Sequence, residues 1–317
     1  MRGWIIKSVS QKELTDRHYG VNRFLQEAAP AGIDLRVYKP EQIDIIVTRE
    51  DRKSLFVEGK SVALPDFVLP RMGSATSYFA LALVRHLERL GVPCINSSLS
   101  VDTVKDKLFT QQILAQRNMP VPKTMLLKFP VDHHHIEQYM GFPLVVKTLS
   151  GSLGKGVFLA QNREKFKELT DILEVTNHNM HIILQEMIVD SYGRDLRVFV
   201  VGGRVVGCML RKAVGKEFRA NYSTGGTVTA YPLTEDIEWL ALEATKILGL
   251  DISGVDLLFD NGKYKICEVN SSPMFKGMEF CCAVNIPQEI FNYIKTRFSH
   301  STTHLVSVHG GLENKVS

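Results

Sequence analysis

No stretch of this chain approaches the roughly 20 consecutive apolar residues that a helix needs to cross a bilayer, which argues against a membrane protein. The apolar patch in Met1-Arg2-Gly3-Trp4-Ile5-Ile6-Lys7 is far too short for the hydrophobic region of a secretory signal. Cysteine is scarce and odd in number, with five among 317 residues (Cys94, Cys208, Cys267, Cys281 and Cys282) and no C-x-x-C spacing. That speaks against a disulfide framework and for free thiols in a reducing compartment, so a cytoplasmic protein is expected. Charge lacks a strong sign: 38 basic against 34 acidic groups give +4. With no basic run and no aromatic-rich face, nucleic-acid binding is not expected. Internal repeats and long low-complexity tracts are missing too. What remains is a globular composition, 44% hydrophobic and 23% charged, over a length that suggests two or three domains.

The first hundred residues alternate strand-like and helix-like signals. Trp4-Ile5-Ile6, Asp44 to Val47 and Phe67-Val68-Leu69 read as strands. Asn22 to Ala29 and Tyr78 to Leu90 read as helices, the second stopping at Gly91. Asn96 to Ser100 reads as a linker. A helix is predicted from Val101 to Arg117, and strands at Leu144–Lys147 and Val157–Leu159 flank a glycine-rich loop. Another helix is predicted from Arg163 to about Leu173. From Ile182 onward come two hairpins with Gly-containing turns, Leu196–Val201 with Val205–Leu210 and Val255–Phe259 with Tyr264–Val269, separated by a helix from Glu235 to Leu248. His133-His134-His135 reads as a solvated loop, because adjacent side chains cannot all point at one ion. Residues 301–317 read as a disordered tail.

Three groups of residues carry the chemistry. The loop Gly151-Ser152-Leu153-Gly154-Lys155-Gly156 is neither a Walker A loop nor G-x-G-x-x-G, and it joins two strands instead of opening a helix. Its glycines would let backbone N–H groups approach phosphate oxygens, although a plain tight hairpin explains them as well. Asp256, Glu268 and Asn270 lie in apolar strands, where a carboxylate needs a cation or hydrogen bonds. Such an oxygen-only set suits Mg²⁺ held together with phosphates, or an ion pair with a nearby Arg or Lys. Lys107, Lys147, Arg197, Arg211 and Arg219 form the basic set, with Asp195 and Arg197 on one strand face. Arg71, at a strand end after Pro70, would bind a substrate carboxylate or cap a loop.

The stretch Gly193-Arg194-Asp195-Leu196-Arg197 through Gly207, then Phe218-Arg219-Ala220-Asn221, Gly225-Gly226, Gly254-Val255-Asp256-Leu257-Leu258 and Glu268-Val269-Asn270, resembles the RimK-type α-L-glutamate ligases of the ATP-grasp superfamily. Leu69-Pro70-Arg71-Met72-Gly73 resembles the ribosomal S6 modification proteins. Val201 to Gly207 is also similar to N-acetylaspartylglutamate and β-citrylglutamate synthases. The resemblance implies an α/β chain, α+β in parts. Its fold would be a three-domain ATP-grasp fold with an N-terminal α/β pre-ATP-grasp domain at 1–100, a central subdomain at 101–181 and a C-terminal subdomain at 182–300.

The resemblance also implies roles. Lys107 and Lys147 match the lysines that hold ATP phosphates, and Gly151, Ser152, Gly154, Lys155 and Gly156 match the flap above them. Glu186 and Met187 match the pair at the adenine and ribose edge, while Asp195, Arg219, Ala220 and Asn221 match further nucleotide contacts. Arg197 and Arg211 match arginines facing the transferred phosphoryl group. Asp256, Glu268 and Asn270 match the ligands of two Mg²⁺ ions, with Mn²⁺ as the alternative metal. Arg71, Asn270 and Ser272 would contact substrate. The implied reaction joins L-glutamate to a carboxylate of a protein C-terminus, peptide or small acid through an acyl phosphate, in a homo-oligomer. Relatives carry Gly where this chain has Met274, next to the acceptor side. The alternatives are a nucleotide-binding regulatory module without turnover and a basic protein that only docks on nucleic acid.

One geometric expectation follows from strand arithmetic. A regular two-residue turn at Asn261-Gly262 would pair Asp256 with Cys267 and send Glu268 to the other face. Convergence of Asp256 and Glu268 therefore requires an odd connection or a compensating bulge. The same holds for Asp195 and Arg211 around Gly202-Gly203.

Overall fold

The computed structural model describes residues 1–49, 54–73, 76–149, 156–176, 181–215, 217–220 and 225–298. The chain begins with β1 (Arg2–Ile6), α1 (Tyr19–Ala28), β2 (Asp34–Tyr38), β3 (Ile43–Ile45), β4 (Leu55–Val57), β5 (Lys60–Ser61), β6 (Phe67–Pro70) and α2 (Tyr78–Arg89). β1 lies between β2 and β6 in a parallel sheet, with α1 and α2 supplying apolar faces to it. β3, β4 and β5 form a small antiparallel sheet at its side.

The predicted helix from Val101 to Arg117 is two helices, α3 (Ser98–Lys105) and α4 (Lys107–Gln116). Asp106 interrupts them in an extended conformation, φ −88° and ψ 108°, and its carboxylate accepts from the Phe109 N–H as the N-cap of α4. An aspartate that can cap a new helix competes with continuing the old one. The break sets Lys107 at the first residue of α4.

Asn96, expected in a linker, is 1% exposed. Its side chain accepts from the Asp251 and Ile252 N–H groups and donates to the Ile252 and Ser271 carbonyls, so this segment is fastened to the last sheet.

A second, antiparallel sheet follows the order β7 (Thr124–Leu126), β10 (Ile182–Glu186), β8 (Leu144–Thr148), β9 (Val157–Ala160). α5 (His133–Tyr139) and α6 (Arg163–Thr176) accompany it, and Phe166 of α6 is fully buried against it. The histidine run expected in a loop opens α5, because Asp132 accepts from the His135 N–H and caps it. His133 stacks edge-on against Phe166.

The third sheet has five strands. They run β13 (Thr227–Ala230), β12 (Arg204–Lys212), β11 (Arg194–Val201), β14 (Ile252–Asp260) and β15 (Lys263–Asn270), all antiparallel. α7 (Glu235–Ile247) covers one face through Ile237, Leu240, Ala241 and Ala244, which pack on Leu196, Val198, Val255 and Leu257. On the other face Phe199, Val201, Met209 and Ile252 join Phe24 of α1, Phe275, α8 (Lys276–Cys282) and α9 (Ile286–Phe298) in one core. Among the described residues no helix is long and apolar enough to cross a membrane.

Candidate functional site

Both hairpins of the third sheet have two-residue turns and both carry a bulge. Asp260 pairs with Lys263 across Asn261-Gly262, and Asn261 (φ 50°) and Gly262 (φ 77°) adopt the left-handed conformation such a turn needs. The register then slips between Asp256 and Leu257, so that Asp256 faces Glu268, Gly254 faces Asn270 and Cys267 is the extra residue. Val201 pairs with Arg204, and a slip between Phe199 and Val200 sets Asp195 opposite Arg211. β11 and β14 place Arg197 across from Asp256. One sheet face thus carries Asp195, Arg197, Arg211, Asp256, Glu268 and Asn270, as the strand arithmetic required.

Four of these side chains neutralise one another. Arg197 donates to both oxygens of Asp256 at 2.7 and 2.7 Å, and Arg211 donates to both oxygens of Asp195 at 2.6 and 2.8 Å. The Arg211 Nη2 also reaches the Asp256 Oδ2 at 2.9 Å. Burial pushes the Asp195 carboxyl up to about 6 despite Arg211. Burial acts the same way on Asp256, but its two guanidiniums outweigh it and hold that carboxyl below its ordinary value. Asp256 has therefore used three of a carboxylate's roughly four acceptor sites on arginine. The Glu268 carboxylate, half-buried beside it, accepts no hydrogen bond and makes no ion pair among the described residues. Asn270 spends only its amide donor, on the Gly254 carbonyl at 3.3 Å. Its Oδ1 and the Glu268 carboxylate are hard oxygen donors side by side, a chemistry that fits Mg²⁺. Among the described residues no group of three or more His, Cys, Asp or Glu side chains could hold a metal. The set here is two carboxylates and an amide.

Glu268 opens onto a cleft between the second and third sheets, lined also by Lys107, Lys147, Gln111, Gln185 and Cys267. Lys147, on β8, reaches the Cys267 Sγ at 3.6 Å, and Lys107 reaches the Leu149 carbonyl at 3.3 Å. At the end of β10 the Glu186 carboxylate accepts from the Lys123 N–H at 2.8 Å and from Lys265 at 2.6 Å. Burial would raise its pKa, and these two partners bring it below the ordinary value. Met187 follows it, half-buried. Arg219 is held by Glu217 at 2.8 Å and lies over the Phe218 ring, with Ala220 buried next to it.

Gly151, Ser152, Gly154, Lys155 and Asn221, together with the 301–317 tail, lie outside the described residues. Gly156 is described: at φ +75° a Cβ would sit 2.3 Å from the Thr148 Oγ1, so close packing against β8 by itself demands glycine. Ser272 is half-buried in the loop after β15, and Arg71 reaches the same loop, donating to the Pro273 carbonyl at 2.7 Å.

Two participants escaped the sequence reading. Gln111 donates to the Ile266 and Cys267 carbonyls and so grips the bulge. Lys7 donates to the Arg71 carbonyl at 2.9 Å. Neither lies in a recognisable motif; only the spacing of Gln111 four residues after Lys107 puts both on one helix face.

A family model described as the RimK-like ATP-grasp domain matches residues 104–294, and one described as the RimK PreATP-grasp domain matches residues 13–101. The chain is 35% identical over 282 residues to a probable alpha-L-glutamate ligase of Rhodopirellula baltica, covering 89% of this chain and 69% of that protein. It is 33% identical over 280 residues to a probable alpha-L-glutamate ligase of Legionella pneumophila, covering 88% and 92%. Among solved structures, the ATP-grasp ligase PsnB complexed with its minimal precursor superposes with a TM-score of 0.72 at 18% identity, over 93% of this chain and 98% of that one. The D-alanine–D-alanine ligase of Bacillus anthracis gives 0.68 at 17% identity, over 97% and 100%.

Proposed function

The chain belongs to the RimK-like ATP-grasp family of ATP-dependent carbon–nitrogen ligases, and from that premise we propose that it joins L-glutamate by an amide bond to a carboxylate of a protein C-terminus, peptide or small acid. The observation that supports this best is the doubly bulged sheet face. It collects Arg197, Arg211, Asp256, Glu268 and Asn270 beside a cleft that also holds Lys107 and Lys147.

A carboxylate is a poor electrophile because its oxygen is a poor leaving group. In this reading the acceptor carboxylate takes the γ-phosphoryl group of ATP, and the glutamate amine then displaces phosphate from the acyl phosphate. Phosphoryl transfer is catalysed chiefly by positioning and by neutralising charge. Lys107 and Lys147 neutralise the phosphates from one side of the cleft, and Gly151, Ser152, Gly154, Lys155 and Gly156 serve as further phosphate contacts. Glu186 and Met187 flank the adenine and ribose, with Asp195 and the stretch Arg219, Ala220 and Asn221 as further nucleotide contacts. Arg197 and Arg211, oriented by Asp256 and Asp195, present guanidinium charge to the transferring group and to the tetrahedral intermediate. Glu268 and Asn270, with the remaining acceptor site of Asp256, would hold Mg²⁺. Bound there, the ion would neutralise phosphate charge. No side chain serves as a covalent nucleophile.

The test is ADP release from purified protein with ATP, Mg²⁺ and L-glutamate against a panel of carboxylates, with products identified by mass. A product heavier than its acceptor by one glutamyl residue is expected. ATP and Mg²⁺ binding without substrate-dependent ADP release across peptide and small-acid acceptors would overturn the reading.

A further inference from the structure

Among the described residues, Arg71 and Lys7 are cations whose surroundings do not explain them. They follow β6 and β1 at the carboxyl ends of adjacent parallel strands, where Ile6 pairs with Pro70. The crevice beyond the carboxyl ends of parallel strands is a common place for ligands in open α/β sheets. Arg71 is 7% exposed, and its guanidinium packs over the rings of Phe24 and Phe275 at 5.6 and 5.9 Å. Nη2 donates to the Pro273 carbonyl, whereas Nη1 is buried with no hydrogen-bond partner. Lys7 lies against it and donates to its carbonyl. Among the described residues neither cation meets a carboxylate.

Arg197 and Arg211, 9% and 6% exposed, each have a carboxylate bound through two nitrogens. Arg71, equally buried, has a neutral carbonyl and a second cation. Burial draws the Arg71 guanidinium down to about 10, and burial with the Arg71 charge lowers the Lys7 amine too. A buried guanidinium beside a half-buried ammonium, with no counter-ion, is unfavourable, so packing alone does not account for the pair. Their position is close to the reaction site. The loop that Arg71 holds seats Pro273 on Gly254: a Cβ there would lie 2.6 Å from the Pro273 ring and 3.7 Å from the Arg197 Cδ.

We propose that Lys7 and Arg71 form an anion subsite that takes a non-reacting carboxylate of one of the two substrates, so that the enzyme selects di-acids over mono-acids. The assignment of that carboxylate to a substrate rests on the ligase reading above. The cation pair supplies the charge and the unpartnered Nη1 supplies a donor, while the reacting end of the same molecule extends past Pro273 toward Arg197.

The test compares binding of glutarate and butyrate to the full chain loaded with Mg²⁺ and a non-hydrolysable ATP analogue. It uses wild type, Lys7→Met, Arg71→Gln and Arg71→Lys. Arg71→Gln keeps the stem of the side chain but falls short of the Pro273 carbonyl, whereas Lys7→Met alters only a half-buried side chain, so Lys7→Met keeps the test decisive if Arg71→Gln does not fold. Wild type should prefer glutarate by about tenfold or more, Lys7→Met and Arg71→Gln should lose that preference, and Arg71→Lys should keep part of it. Equal binding of the two acids by wild type, or an unchanged preference in both charge-removing variants, would overturn the subsite. Equal weakening of both acids would also overturn it, by assigning Arg71 a purely structural role. Because this readout needs no turnover, it stands apart from the ADP-release test of the ligase reading. With turnover in hand, the source is set by which KM moves in Lys7→Met, that for L-glutamate or that for the acceptor acid.

Discussion

Arg211→Met removes one of the two guanidiniums that balance Asp195 and Asp256, at nearly unchanged volume. Three charge-assisted contacts disappear, at 2.6, 2.8 and 2.9 Å, and two carboxylates are left to share Arg197. The side chains of Arg211 and Asp256 are each 7% exposed and that of Asp195 is 16% exposed, so water does little to replace the lost charge. Breaking a buried pair by deleting one partner costs about 3–5 kcal/mol, because the other charge stays behind. That loss should appear in urea denaturation at pH 8. Asp195 already has its carboxyl raised to about 6 with Arg211 present, above its unfolded value, and it rises further without it. A carboxyl raised in the folded state stabilises below its unfolded pKa and loses that contribution as pH rises through its folded pKa. The deficit of Arg211→Met should therefore shrink as pH falls from 8 to 5.5. In Arg211→Met/Asp195→Asn the uncompensated charge is gone while the Arg197–Asp256 pair remains, so most of the stability should return. A loss under about 1 kcal/mol at pH 8, or a double variant no more stable than the single one, would refute the balanced-network argument.

Lys147→Ala should weaken ATP binding by about 1.5–3 kcal/mol, read by titration calorimetry, through loss of a charge-assisted phosphate contact; unchanged affinity removes Lys147 from the site. Glu268→Gln keeps volume but removes the charge a hard cation needs, so turnover should collapse while the urea midpoint stays near wild type. Unfolding of that variant with metal dependence intact would make Glu268 a structural residue instead. In wild type, kcat/KM should fall as pH drops below about 6, where Asp195 takes a proton and loosens Arg211. Asp195→Asn should abolish that acid limb, and a limb that persists in it belongs to another group.

The long apolar signals were readable from sequence: the strands at Trp4–Ile6, Leu144–Lys147 and Val255–Phe259 and the stripe of α2 all form where periodicity puts them. The misreadings have local physical causes. Asp106 and Asp132 each prefer capping a new helix to serving within a helix or loop, and a capping aspartate looks the same in sequence whichever it does. β7 and β13 are edge strands of three and four residues whose existence is decided by β10 and β12, not by their own pattern. Asn96 looked like linker because nothing in a single sequence says that its amide spans to Ile252 and Ser271. The site shows the same division. Residue type and order made Lys107, Lys147, Arg197, Arg211, Asp256 and Glu268 legible. The pairing of Arg197 with Asp256 is a consequence of how β11 lies on β14, a register across 59 positions that local pattern cannot contain.

The bulges show how a local preference and a functional requirement are reconciled. Asn-Gly favours a two-residue turn strongly enough that the turn forms as its local chemistry dictates. Left alone, that turn would send Glu268 to the face covered by α7. One extra residue in β15 restores the phase, and because it sits at Cys267 it brings two successive side chains, Cys267 and Glu268, to the cleft that Lys147 enters. Gln111 then satisfies both carbonyls exposed by the irregularity, those of Ile266 and Cys267, from the helix that begins with Lys107. The second hairpin solves the same phase problem between Phe199 and Val200, away from its Gly202-Gly203 turn, and brings Asp195 opposite Arg211. Had the Asn261-Gly262 turn simply been lengthened, the phase would be equally correct, but no irregular backbone would lie beside the cleft for α4 to hold. The bulge in β15 thus couples the helix that starts with one proposed phosphate lysine to the strand carrying the proposed metal carboxylate, through a single buried glutamine.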